Sequence, residues 1–288
     1  MDSVSYSKKI KVENILVPTD FSDNANNALT YAAELNKKLN AEIMLFHVYT
    51  IPVIATDIPV FVLTEGEVQA DAEVKLGKLK QEYKALYPEM EFKTKASMGL
   101  AKNGIIDEEK EARYDLVVMG TRGASGMSGF FTGSNTASVI GKSACPVIAV
   151  PENARMTGLN KIVFAANYGT DDFENVFEVI KIARLFDSEV ILLHVATGEL
   201  NKTFEFAEIE GFKAQISGES RYDKISFKLL EDTDVYHGLN FYIDEIKADM
   251  LILNMRNRTF AQKFASSSLT KKIAYHTHIP LLAFHTDT

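Results

Sequence analysis

Short runs of consecutive apolar residues alternate along the chain with longer stretches whose apolar positions recur every three or four residues. That alternation predicts strands buried on both faces, joined by amphipathic helices. The first run, Ile15-Leu16-Val17, ends a strand expected over 11–18 and is closed by Pro18-Thr19-Asp20. Ser22 is placed to cap a helix that carries Ala25, Ala28, Leu29, Ala32, Leu35 and Leu39 at helical spacing. A second strand is expected over 43–48, and a loop with Pro52 and Pro59 leads to a charged helix over about 65–87. A third strand over 91–98, whose residues alternate, precedes a short helix over 104–113. Leu116-Val117-Val118-Met119 is the fourth strand. A helix bearing Ala137, Val139, Ile140 and Ala144 follows, is ended by Cys145-Pro146, and gives way to a last strand over 147–150. This order implies an α/β fold with a doubly wound parallel sheet and right-handed crossovers.

The pattern then repeats. KIVFAANY from Lys161 aligns with NILVPTDF from Asn14 at an offset of 147, and His194-Val195 matches His47-Val48 at the same offset. Asp249 to Leu253 matches Asp115 to Met119 at an offset of 134, and Pro280 matches Pro146 without a gap. About thirteen residues are therefore missing between the second and fourth strands of the repeat. Two tandem five-stranded sheets follow, in domains at 1–152 and 159–288, with the polar stretch 152–160 as the connection.

Composition narrows the function classes. A net charge of −8 argues against a sequence-independent grip on nucleic acid or an anionic membrane. The single cysteine, Cys145, excludes an intrachain disulfide and is expected to be a small buried residue. No apolar stretch reaches the length of a membrane span, and MDSVSYSKKIKVEN has no apolar signal core, so a cytoplasmic location is expected.

The chemistry concentrates after the fourth strand. Gly120 and Gly123 follow it directly, and Gly133-Ser134 opens the next helix. Glycine lets a ligand approach backbone amides closely, and a helix start adds unbonded N–H donors, which together outline a phosphate site. In a doubly wound sheet the ligand sits at the carboxyl ends of strands where the winding reverses, so the ends of the first and fourth strands are the expected walls. Gly141-Lys142-Ser143 mimics the end of a P-loop, but Thr136 stands where that motif needs glycine, and the triplet falls at a helix end.

The spacing Gly120-x2-Gly123-x9-Gly133-Ser134 resembles the ATP-binding motif of the universal stress protein family, G-x2-G-x9-G-S/T. The resemblance extends, as a tandem pair, over nearly the whole chain and implies a Rossmann-like sheet of the adenine nucleotide alpha hydrolase type. It implies a PTD-type turn (Pro18, Thr19, Asp20) and a hydrophobic residue after strand two (Val48) around adenosine. Met119, Gly120, Arg122, Gly123, Gly133, Ser134 and Asn135 complete the residues expected to bind ATP, with backbone amides and the Ser134 hydroxyl on the phosphates. Mg²⁺ is expected as a companion, since Arg122 is the one cationic side chain in the motif. Asp20 also has a plain reading as a turn former that caps the next helix. Arg122 has a counterpart in Arg256, which gives it a structural reading as well. The resemblance implies a stress-response regulatory protein rather than an enzyme. Slow hydrolysis, a scaffold without nucleotide and a small-ligand binder are the alternatives. It implies pairing of the two halves through their last strands as an intramolecular pseudo-dimer, and further association into homodimers.

In the second half Gly120, Gly123 and Gly133 become Asn254, Asn257 and Ser267, Asp20 becomes Asn167, and Ser268 keeps the position of Ser134. The fold is expected to persist there without the nucleotide site. His47 is expected to be a hydrogen-bonded structural residue. His276, His278 and His285 are read as loop histidines, not a metal site, and Phe130-Phe131 as core.

Overall fold

A computed structural model describes residues 12–51, 64–121, 134–168, 170–197, 202–255 and 278–285. The chain divides into two compact units, Val12–Asn153 and a second built from Ala154–Thr288.

The first unit runs β1 (Asn14–Pro18), α1 (Asp23–Leu39), β2 (Glu42–Tyr49), α2 (Glu65–Leu86), β3 (Phe92–Met98), α3 (Ala101–Ala112), β4 (Leu116–Gly120), α4 (Ser134–Ile140), β5 (Val147–Val150). Its strands lie in the order β3-β2-β1-β4-β5, every neighbouring pair parallel. The continuous apolar runs are the central strands: Ile15, Leu16, Val17, Val117 and Val118 are fully buried. β3 differs from its expected alternation. Only Phe92 is buried and Lys93, Thr94 and Lys95 are exposed, as suits a strand at the end of its sheet.

Local chemistry sets the helix ends. Ser22 caps α1 as expected, its Oγ accepting the Ala25 N–H at 3.2 Å. Thr64 and Glu67 form a capping box at α2, where each side chain takes the other's backbone N–H. α3 begins at Ala101, ahead of the glycine expected to open it. Its first turn has no side-chain cap; Asn103 and Gly104 both donate to the Leu100 carbonyl. α4 stops at Ile140, short of Ala144, because the N–H groups of Ala144 and Cys145 go to Glu109 Oε1 at 2.6 and 2.7 Å instead of to a further helical turn.

The second unit runs β6 (Lys161–Ala165), α5 (Thr170–Phe186), β7 (Glu189–Ala196), α6 (Lys202–Ser220), β8 (Ile225–Glu231), α7 (Val235–Ile246), β9 (Met250–Met255), β10 (Leu281–His285). Its order, β10-β9-β6-β7-β8, is also parallel throughout.

The internal repeat is written into the backbone as well as the sequence. Three left-handed residues of one unit have partners in the other: Phe21 (φ 64°) with Tyr168 (57°), Asn40 (58°) with Asp187 (59°), and Arg113 (50°) with Lys247 (54°). An aspartate before the fourth strand of each unit holds the start of the first. Asp115 Oδ2 accepts the N–H groups of Glu13 and Asn14 at 2.8 and 2.9 Å, and Asp249 Oδ2 accepts those of Asn160 and Lys161 at 2.7 and 2.8 Å.

Candidate functional site

β1 pairs with β2 on one side and β4 on the other, so the winding reverses between β1 and β4. Their register, Ile15 opposite Leu116 and Leu16 opposite Val117, carries Pro18 level with Met119 two residues on. The two expected walls of the site therefore stand side by side.

The turn after β1 is closely tied. Pro18 and Thr19 are buried, and the Thr19 N–H donates to the Phe46 carbonyl at 2.8 Å. Thr19 Oγ1 accepts the Phe21 N–H at 3.0 Å, which holds Phe21 in its left-handed conformation. Asp20 is exposed, and its Oδ1 accepts from Ser22 twice, from the N–H at 3.1 Å and from the hydroxyl at 2.6 Å. Asp20 thus braces the residue that caps α1. His47 Nδ1 lies 2.7 Å from the Thr19 carbonyl, so that nitrogen carries the proton, and the ring rests against Phe21 at 4.6 Å.

On the opposite wall Met119 and Gly120 are buried. A Cβ at Gly120 would overlap Asn24 Oδ1 and lie 2.9 Å from both Cγ and the backbone oxygen of Asn24. The missing side chain at 120 is what lets the first turn of α1 close against β4. Thr136 Oγ1 donates to the Gly120 carbonyl at 2.7 Å and fixes α4 to the end of β4. Ser134 is the first residue of α4, and Asn135 beside it is exposed. Arg122, Gly123 and Gly133 lie outside the described residues, as do Phe130 and Phe131.

Val48 is half-buried against α3, where a Cβ on Gly104 would meet its methyls at 2.9 and 3.2 Å. The second unit repeats this contact: a Cβ on Gly238 would meet Val195 at 2.8 Å. Both Val–Gly pairs stand at the repeat offsets, although in sequence only Val48 is marked as a site position and Gly104 only as the start of a helix. Asn24 and Thr136 carried no comparable signal.

Gly141-Lys142-Ser143 is a helix end, as expected. Gly141 and Lys142 donate to the carbonyls of Ala137 and Val139 at 3.2 and 3.0 Å, and the buried Ser143 hydroxyl donates to the Cys145 carbonyl at 2.8 Å. Cys145 is buried. Burial first, and then the negative charge of Glu109, pushes its thiol up to about 12. Since the thiolate is the reactive form, Cys145 is expected to resist a maleimide at pH 8 in the folded protein. It should label only as fast as the chain unfolds; rapid labelling without denaturant would contradict this burial.

In the second unit His194 Nδ1 meets the Ala166 carbonyl at 2.8 Å, as His47 meets that of Thr19, and Asn167 is exposed. His278 pairs with Asp244 at 2.9 Å, a carboxylate that is distant in sequence. Among the described residues no group of three or more histidine, cysteine or acidic side chains is placed to hold a metal, and no helix is long and apolar enough to cross a membrane. His276, Asn257, Ser267 and Ser268 lie outside the described residues.

Comparison with known proteins accounts for this arrangement. The model of the universal stress protein family matches residues 11–151. Universal stress protein MJ0531 of Methanocaldococcus jannaschii is 31% identical over 147 residues, covering 48% of this chain and 81% of that protein. The chain belongs to the universal stress protein family. Universal stress protein YxiE of Bacillus subtilis is 30% identical over 145 residues, 47% of this chain and 97% of that protein. The crystal structure of a universal stress protein from Archaeoglobus fulgidus covers 96% of this chain and 97% of its own, with a TM-score of 0.74 at 19% identity. That likeness of fold takes in both halves of this universal stress protein, beyond the segment the family model matches.

Proposed function

We propose that this universal stress protein binds ATP through its first unit and acts as a nucleotide-responsive regulatory protein. The register of β1 against β4 carries this reading. It sets residues 18–20 beside 119–120 at the reversal of the winding, where such sheets take their ligands. Family membership and the spacing Gly120-x2-Gly123-x9-Gly133-Ser134 support the same site. Asp20 and Val48 border adenosine. The backbone amides around Gly123 and Gly133 and the Ser134 hydroxyl hold the phosphates, with Asn135 and Arg122 at the margin. Mg²⁺ accompanies the phosphates and offsets part of their charge. A cytoplasmic setting suits the lone buried thiol.

The chemistry is binding rather than turnover. The site offers donors to phosphate oxygens, but no side chain assigned to it orients a water, and charge stabilisation alone supplies only part of a hydrolytic rate. Steady-state assay of the purified protein is therefore expected to give ATP hydrolysis far below an ordinary enzymatic rate of about 10 per second. Hydrolysis at that rate, persisting through a second purification, would overturn the binding-protein reading. Mass spectrometry of ligand released on denaturation tests the nucleotide directly, and recovery of an unrelated ligand in place of ATP would redirect the assignment.

A further inference from the structure

The reversal point of the second unit holds a buried carboxylate that the first unit lacks. Asp172, in the first turn of α5, is 2% exposed and sits between the ends of β6 and β9. Its Oδ2 accepts the Asn167 N–H at 2.6 Å, and its Oδ1 accepts the Asn254 side-chain amide at 3.2 Å. At the repeat offsets the counterparts of Asp172, Asn254 and Asn167 are Ala25, Gly120 and Asp20. An alanine and a bare glycine in one unit have thus become a bonded acid–amide pair in the other. Burial first, and then the neighbouring Asp172, raises the Tyr168 phenol above its ordinary range.

We propose that Asp172 determines the ligand class of the second unit, excluding phosphate-bearing ligands from its reversal point. The carboxylate takes the Asn167 amide for itself, and its charge repels any anion brought to the same strand ends. This reading goes beyond loss of glycines. It makes the second unit selective against charge, so that a neutral ligand is tolerated where a nucleoside triphosphate is not. It rests on the reading of the first unit as a nucleotide site.

Asp172→Asn isolates the charge. The new amide oxygen keeps the Asn167 N–H, and the new amide nitrogen faces Asn254, whose Oδ1 is buried without a partner and can accept once its amide turns over. The fold should therefore hold, which a melting curve checks. In a Gly133→Val background, where the first site is disabled, ATP and adenosine are titrated calorimetrically into chains with Asp172 or Asn at this position. Asp172→Asn is expected to tighten ATP by about tenfold, as one unit charge near a polyanion would. The gain should shrink in high salt, with adenosine unchanged. No gain for ATP, including no measurable binding to either chain, overturns the proposal, as does an equal gain for adenosine. Wild type titrated alongside keeps the two readings apart: if it binds no ATP, the first-unit assignment fails while the Asp172 comparison still reads out.

Discussion

Titration of the wild-type chain with ATP should give one binding event per chain, and Gly133→Val should abolish it. Valine adds a branched Cβ where backbone amides are to meet phosphate, so the ligand is held off and the charge-assisted hydrogen bonds there are lost together. Losing even two such bonds weakens binding by about a hundredfold or more, or about 2.7 kcal/mol. Asn257→Gly and Ser267→Gly, at the corresponding places in the second half, should leave the affinity untouched. Two equivalent sites per chain, or normal affinity in Gly133→Val, would sink the assignment.

Gly120→Val should fail for a different reason, and the two variants separate ligand glycines from packing glycines. The Cβ at 120 would collide with Asn24 on α1, both side chain and backbone, so the cost falls on the fold. Overpacking of this kind costs about 3 kcal/mol, enough to lower the melting temperature of the first unit by roughly 10 °C. Gly133→Val should melt close to wild type. Combining Gly120→Ala with Asn24→Ala should recover part of the loss, because it removes the side-chain overlap and leaves the contact with the backbone oxygen. A Gly120→Val chain that melts like wild type would show that α1 does not depend on this close approach.

Much of this was legible in the chain itself. Consecutive apolar residues marked the central strands because both faces of a parallel sheet are covered, and Ser22 announced the start of α1 through its hydroxyl. The repeat was legible because Lys161–Ala165 keeps the pattern of Asn14–Pro18 and both aspartates before the fourth strands survive. Less visible were features made by contacts distant in sequence. Nothing near Glu109 shows that it ends α4 by taking the N–H groups of Ala144 and Cys145. Gly120 reads in sequence as a ligand glycine, and only the approach of Asn24 adds its packing role. Asp172 passes for an ordinary acid in a first helical turn until Asn167 and Asn254 are found on either side of it.

The paired aspartates and the three pairs of left-handed corners bear on how such a chain can change over time. They lie at strand entries, at helix exits and in the turn between the first strand and the first helix of each unit, and none is among the residues proposed to touch a ligand. A duplicated half can therefore drift in what it recognises while its frame is maintained by a separate set of positions. Selection on stability and selection on recognition then act on different residues. A lineage carrying this chain can keep one half under constraint while the other explores new chemistry without losing its shape.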